Sequence, residues 1–461
     1  MATVAVVGGG ITGLAAGWAL AQAGTEVIVL EGRSRLGGVI RTDRLDGVPV
    51  EAGPDAFLAG DAMAALCSSV GLEQDLISPD VFGAYIWSEG RLRRLPPGVV
   101  LGLPAWPTQA LRAGLLSPIG TLRAAAEILV PGPLRGGDVS VGALVRRRFG
   151  HEVLERLVDP LMAGRRAGHT DDMSLQAADA KVDELARSHR SILLGIRRGR
   201  RSGELSGGPP PFLAPQGGME RLVDALARSL RSRLGPRCIQ TDAQVTRVSS
   251  RSEGFTLDLQ ASGPLETDGV VVCLPAPQAA AVLRSLSGAA SGELEGIPFA
   301  STAVATFFYP PGSCALPPHG SGFLVPSSEG RALAACTWYS VKWSGSAPAD
   351  GAVVLRAFVG RAGTDPALSL DDDGLAALLV RDLGDALRPA APPRLAQVTR
   401  WEASLPQYRV GHTERVARIE RALERHPRLA LAGAAYRGSG MPDCVAGAGA
   451  AAHRVLDALA P

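Results

Sequence analysis

The chain predicts an α/β fold in which a discontinuous Rossmann-like domain carries a mixed α+β domain and a helical insertion. Three observations lead there. An apolar run near the start opens into Gly8-Gly9-Gly10-Ile11-Thr12-Gly13, and a second strand-like run, 25–30, ends at Glu31. Far along the chain, 269–274 is a continuous apolar run, the pattern of a buried parallel strand returning to the first sheet, and 429–433 is a further short strand. At 461 residues the chain exceeds one ordinary domain.

Taken in order, Val4-Ala5-Val6-Val7 is the first strand and 14–23 the first helix, rich in small residues. Gly8 permits the tight turn, Gly10 lets backbone approach a pyrophosphate, and Gly13 lets helix and strand pack closely. The helix N-terminus presents unpaired N–H groups to that anion. Gly24 ends the helix, and Glu31 lies about 20 residues beyond the fingerprint, where a carboxylate accepts hydrogen bonds from ribose hydroxyls. Strand, helix, second strand and acid in register point to a dinucleotide site.

Which dinucleotide is addressed by Arg35-Leu36-Gly37-Gly38-Val39-Ile40-Arg41-Thr42. Read alone, it is equally an ordinary turn with solvated arginines. After a ribose-binding acid, this R-x-G-G-x-x-R-T pattern resembles the second motif of FAD enzymes of the amine-oxidase superfamily. That resemblance implies FAD, with Gly37 and Gly38 bringing backbone to the cofactor and Arg35 or Arg41 offsetting phosphate charge.

Further along, 50–57 is a strand entering a Gly-Pro turn, 61–72 is helical, and 92–107 is a proline-broken connection. Residues 108–195 read mainly as helices, followed by a breaker-rich loop from Gly199 through Pro211. Leu222, Leu226, Leu230 and Leu234 mark an amphipathic helix over 217–234. Short strands at 244–248, 254–260 and 269–274 follow, then an alternating strand-like region over 299–360. Helices are expected at 368–387 and 413–425, and a strand–turn–helix closes the chain, its helix running from Cys444. The domains expected are a flavin-binding one from 1–80, 212–290 and 395–461, a helical insertion at 81–211, and a substrate domain at 291–394.

Composition narrows the class. Net charge is +2 with 20% charged residues, which gives no electrostatic footprint for nucleic acid. The six cysteines are scattered, without a C-x-x-C or a histidine at ligand spacing, and read as reduced residues of a cytoplasmic protein with no metal site. Met1-Ala2 runs straight into the first strand, so no signal peptide is expected. No window holds enough apolar residues to span a bilayer, which leaves peripheral membrane contact open.

The closing stretch, Gly433 to Cys444, places a glycine-rich turn before a new helix N-terminus. Such an end favours negative charge, as on a reduced flavin, or is simply a well-made helix start with Asp443 in its first turn.

Residues 8–42, Gly53-Pro54-Asp55-Ala56-Phe57, Thr399-Arg400-Trp401, Pro406-Gln407-Tyr408 and the 433–444 turn together resemble the oxygen-dependent protoporphyrinogen and coproporphyrinogen oxidases. The similarity runs end to end. Ala335-Cys336-Thr337-Trp338 with Lys342-Trp343, and Leu355-Arg356-Ala357-Phe358-Val359-Gly360, are most similar to the bacterial coproporphyrinogen III oxidase branch. The resemblance implies FAD contacts at Gly8, Gly9, Gly10, Ile11, Thr12, Gly13, Glu31, Gly32, Arg35, Gly38, Val39, Gly53, Pro54, Asp55, Ala56, Val245, Trp401, Ala434, Ser439, Gly440 and Met441. It also implies a porphyrinogen substrate and O2, peroxide as by-product, a place in haem biosynthesis, a helical insertion that in relatives often touches membrane, and a haem-pathway partner enzyme left open. Oxidation by a flavin needs no protein nucleophile or metal, in keeping with seven scattered histidines. His412, the only one in a family-like segment, reads first as structural.

Two departures bear on the substrate. Where relatives show Gly-aliphatic-aromatic-Ala-Gly, this chain has Gly164-Arg165-Arg166-Ala167-Gly168. Arg165 and Arg166, with Gly168, are the expected substrate contacts, because guanidinium forks suit propionate carboxylates. Two other readings stand beside that one: an arginine turned to solvent, or cations that impair turnover in a non-catalytic flavin-binding haem-pathway protein. Second, Val99-Val100 follow Leu95-Pro96-Pro97-Gly98 where some protoporphyrinogen-type relatives carry a propionate-binding basic residue, which weakens protoporphyrinogen IX as substrate.

Overall fold

Five parallel strands form the first sheet, in the order Ile239–Gln240, Glu26–Leu30, Thr3–Val7, Gly269–Val272 and Leu429–Leu431. The computed structural model describes residues 2–96, 98–100, 102–130, 132–203, 212–363 and 365–460, with the side chain of Arg165 outside the described set. The two distant apolar runs extend this sheet on one side: Gly269–Val272 pairs with the first strand, and Leu429–Leu431 pairs with Gly269–Val272. Val4 and Val6 face one core with Leu14, Leu20 and Leu226, whereas Ala5 and Val7 face another with Val272, Ala279 and Leu283. Burial on both faces explains why these strands are apolar throughout rather than alternating.

The first core is covered by helices Ile11–Gln22, Glu220–Leu234 and Met441–Leu459. The second lies under the antiparallel strands Val245–Arg251, Gly254–Leu259 and Leu265–Thr267 and helices Ala276–Leu283, Gly288–Glu295 and His412–Ala422. The closing helix begins at Met441, three residues ahead of the expected start, with Pro442 in its first turn and the Asp443 carboxylate accepting the Gly440 N–H at 3.2 Å.

A second sheet of seven strands runs Leu395–Pro406, Phe299–Tyr309, Val353–Val359, Leu333–Trp338, Gly322–Leu324, Tyr85–Ser88 and Arg91–Arg94. Helix Asp372–Leu387 covers one face through Leu375, Leu379 and Leu383, packed on Phe307, Leu355 and Ala357. Leu395–Pro406 pairs with Phe299–Tyr309, so this sheet draws on residues that the sequence reading grouped with the flavin-binding segment. The hairpin of Tyr85–Ser88 and Arg91–Arg94 likewise joins it from the start of the insertion.

Beyond a short antiparallel pair of Val99–Val100 and Leu103–Pro104, the described rest of the insertion is mainly helical, around Leu103, Leu144, Phe149, Leu157, Val182 and Ile196. The expected loop from Gly199 is a correction: helix Ile192–Ser202 continues through it and stops at Gly203, φ +83°. The glycines here serve packing. A Cβ at Gly195 would lie 3.0 Å from the Leu185 side chain, and Gly199 is buried. The remainder of that loop, 204–211, lies outside the described residues.

Candidate functional site

The two N-terminal glycine motifs meet backbone to backbone. Gly37 donates to the Gly9 carbonyl at 2.9 Å, and Gly10 and Gly37 form an isolated parallel bridge. Gly8 takes φ +110°, and a Cβ at Gly13 would lie 1.8 Å from the Gly8 carbonyl oxygen, so neither position admits a side chain. Gly10 is different: a Cβ there meets no protein atom within 4 Å. Its bare backbone therefore borders open space at the N-terminus of helix Ile11–Gln22, the cradle that a pyrophosphate requires. Ile11, Thr12 and Gly13 form the first turn of that helix.

Glu31 stands at the end of its strand, where its carboxylate accepts the Gly9 N–H at 2.7 Å and the Arg33 N–H at 2.9 Å. Residues 243–245 run beside it: Ala243 donates to the Glu31 carbonyl, and Gly32 packs on Gln244 with Val245 next in line. Arg35 folds back on its own turn and donates to the carbonyls of Leu36, Ile40 and Gly38. Burial, then neighbouring Arg41, pushes the Arg35 guanidinium below its ordinary pKa. Its role visible in the geometry is to brace the Gly37-Gly38 turn. Arg41 pairs with Asp43 at 2.6 Å.

Gly53 closes in from a third direction. A Cβ there would lie 1.9 Å from the Val39 carbonyl, so 53–56 lies directly on the Gly-Gly motif. Trp401 of the second sheet donates its indole N–H to the Ala52 carbonyl at 2.8 Å and lies within about 6 Å of the Arg35 and Arg41 guanidinium carbons. Pro54 and Ala56 are half-buried beside Asp55. Burial pushes the Asp55 carboxyl up, but Lys342 at 2.8 Å and Arg356 at 3.5 Å outweigh it and hold the pKa down at about 2. Nearby Glu51 is buried, and desolvation raises it to about 7 despite the Met219 N–H at 2.7 Å.

The fourth wall comes from the other end of the chain. Gly440 caps helix Met441–Leu459, which packs on helix Ile11–Gln22, so the 433–440 turn and the fingerprint share one end of the sheet. Tyr408 holds this turn: its hydroxyl donates to the Ala434 carbonyl and accepts the Gly438 N–H at 3.0 Å, while Ser439 follows within the turn. The Tyr408 ring stacks on His412, 4.1 Å between centroids, and His412 bonds the Tyr436 carbonyl at 3.0 Å. Burial lowers the His412 pKa, in keeping with a neutral structural imidazole.

Arg166 lies over the opposite side of this region. Its guanidinium carbon is 5.2 Å from the Tyr408 ring centroid and it donates to the Ala178 carbonyl at 3.1 Å. The side chain of Arg165 lies outside the described residues. Gln407 donates to the Arg166 carbonyl at 2.8 Å and crowds Gly168, where a Cβ would lie 2.6 Å from its amide oxygen. The 164–168 segment is thus tied through 407–408 to the closing turn.

Sequence reasoning did not single out Tyr408, Gln407, Lys342 or Arg356 as site residues. The available signal for Arg356 was a lone charge within the apolar strand Val353–Val359.

This fold and these converging glycine turns define a flavin dinucleotide-binding oxidoreductase. The chain belongs to the flavin containing amine oxidoreductase family, whose profile matches residues 11–456. FAD is its cofactor, and the open face at Gly10, the acid at Glu31 and the three glycine turns fit that group. The chain is 32% identical to coproporphyrinogen III oxidase of Bacillus subtilis (strain 168), covering 96% of this chain and 95% of the relative. It is 35% identical to coproporphyrinogen III oxidase of Mycobacterium tuberculosis (strain ATCC 25618 / H37Rv), with 98% and 97% covered. Among solved structures, a candidate protoporphyrinogen oxidase from Exiguobacterium sp. 255-15 aligns at TM-score 0.86 and 32% identity, over 98% of each chain.

Proposed function

We propose that the protein oxidises coproporphyrinogen III to coproporphyrin III with O2, releasing hydrogen peroxide, in haem biosynthesis. The observation that carries this is the end-to-end identity of 32% and 35% with two proteins of that activity, over a chain whose glycine motifs form one cofactor site. Bound FAD supplies the acceptor for a hydride from the macrocycle. Aromatisation removes six electrons and six protons in three two-electron rounds, and three O2 are reduced to three H2O2. The chain's part is to place and shield. The glycine turns hold the dinucleotide, and Trp401 of the second sheet braces Ala52 beside them. Arg165 and Arg166 are the charges proposed to meet the propionates. Arg166 already engages the Ala178 carbonyl and the Tyr408 ring, so it also orders the segment.

Protoporphyrinogen IX is the second reading, supported by the solved relative from Exiguobacterium. Anaerobic addition of either porphyrinogen to the FAD-loaded protein, following loss of flavin absorbance, tests both. Faster bleaching and faster aerobic porphyrin fluorescence with coproporphyrinogen III are expected. No bleaching with either substrate overturns the oxidase reading and leaves the non-turnover one, in which the two arginines impair oxidation.

We also infer peripheral membrane contact through the insertion. No helix among the described residues is long and apolar enough to cross a membrane. Yet Ile119, Leu122 and Leu129 are 81%, 72% and 72% exposed on helix Pro118–Ala125 and the turn Ala126–Leu129. Exposed apolar side chains gathered in one short stretch favour an interfacial surface over water.

A further inference from the structure

Arg356 is fully buried, and the cofactor contacts inferred from the glycine motifs do not use it. It sits in strand Val353–Val359, where Leu355, Ala357 and Val359 face the core under helix Asp372–Leu387 and Val354 faces the core of the flavin-binding side. Strand alternation puts Arg356 on the same face as Val354. There its Nη2 donates to the Gly53 carbonyl, and its Nη1 lies 3.5 Å from Asp55. Lys342 at 2.8 Å and the Trp343 indole at 3.3 Å approach the same carboxylate oxygen. The 53–56 segment is therefore gripped by three side chains of the second sheet and the helix that follows Trp338. Aromatic faces complete the cage, with the guanidinium carbon 5.1 Å from the Phe358 centroid and 5.7 Å from that of Tyr339.

Stability alone explains this poorly. Burying a guanidinium costs several kcal/mol, and an apolar residue of similar volume often serves a core as well. Moreover Nε of Arg356 has no hydrogen-bond acceptor among the described residues, and Nη1 has only the long ion pair to Asp55. Buried donors without partners are rare and call for an acceptor. We propose that Arg356 is the positioning residue for the 53–56 segment, holding its backbone in the form that receives FAD, and that its spare donors are satisfied when the cofactor site is filled. This rests on the reading that 53–56 meets FAD.

The test compares wild type, Arg356→Lys and Arg356→Met after removal and re-addition of FAD. Lysine keeps a cation for Asp55 but lacks the fork that serves Gly53 and Asp55 together. Both variants are expected to bind FAD about tenfold to a hundredfold more weakly and to alter the visible circular dichroism of the bound flavin. The urea midpoint of apo Arg356→Lys is expected to stay close to that of wild type. Wild-type affinity and an unchanged flavin spectrum in the lysine variant overturn the proposal. So does failure of both variants to fold even with FAD, which makes Arg356 a determinant of the fold alone. If wild-type apoprotein takes up no FAD, the underlying reading of the site fails instead.

Discussion

The Gly438 amide donates to the Tyr408 hydroxyl at 3.0 Å, and that hydroxyl donates in turn to the Ala434 carbonyl. One phenol, carried on the strand-end segment 406–408, thereby pins both sides of the turn that begins the closing helix. Burial raises the Tyr408 pKa above its ordinary value, so the group stays a neutral donor. Tyr408→Phe leaves the ring stack on His412 and removes both hydrogen bonds. The expected cost is about 1–3 kcal/mol, concentrated in this turn. It is read as weaker FAD binding and faster amide hydrogen exchange at 434–440; unchanged values at both would show that the phenol does not hold the turn.

Gly10 and Gly13 separate cofactor binding from folding. Alanine at Gly13 drives its Cβ into the Gly8 carbonyl at 1.8 Å, so both FAD content and stability are expected to fall. Alanine at Gly10 meets nothing in the protein and its φ of −72° suits any residue. The Gly10→Ala apoprotein is expected to unfold at the urea concentration of the wild-type apoprotein, yet after addition of FAD to retain little flavin, measured by absorbance after gel filtration.

The Glu51 carboxyl, raised by burial to about 7 from 4.5, makes stability pH-dependent. Between those values the native state holds a proton that the unfolded state has released, so stability falls as pH rises through the window. Asp55 acts oppositely at lower pH. Its depressed pKa contributes stability above 3.8 that is lost as pH falls toward 2. Glu51→Gln keeps an acceptor for the Met219 N–H and is expected to flatten the decline in urea midpoint between about pH 5 and 7. An equally steep decline in the variant would assign the slope to other groups.

Glu127 and Arg148 form a buried ion pair inside the insertion, 0% and 3% exposed in their side chains. Glu127 also accepts from the Ser191 hydroxyl and from the Ile192 and Leu193 amides, and so caps helix Ile192–Ser202. Arg148→Met strands a buried carboxylate and is expected to destabilise the insertion by about 3–5 kcal/mol. Adding Glu127→Gln should recover a large part, a double-mutant cycle readable by limited proteolysis and urea unfolding.

Aspartate at Ile119, Leu122 and Leu129 tests the membrane surface. The triple variant is expected to lose co-sedimentation with vesicles of mixed neutral and anionic phospholipid while its circular dichroism stays unchanged. Wild-type protein that stays in the supernatant would remove the membrane reading.

The first sheet and the choice of FAD were legible because their signals are local. Glycine spacing, strand length and a terminal acid are written in consecutive residues, and 269–274 announces a buried parallel strand by composition. The helix through Gly199 was not legible, because a glycine that weakens an isolated helix is tolerated where, as here, it is buried by packing. The cofactor class was readable from residues 8–42 alone, because the glycine fingerprint, the acid after the second strand and the R-x-G-G-x-x-R-T pattern stand in one continuous run. Only the tertiary structure decided what holds those turns: Arg356 and Lys342 on 53–56, Tyr408 on the closing turn, and Trp401 on Ala52. The contacts of Arg356, Lys342 and Trp401 span 287 to 349 residues and those of Tyr408 span 26 and 30, so their chemistry exists only once the chain has folded.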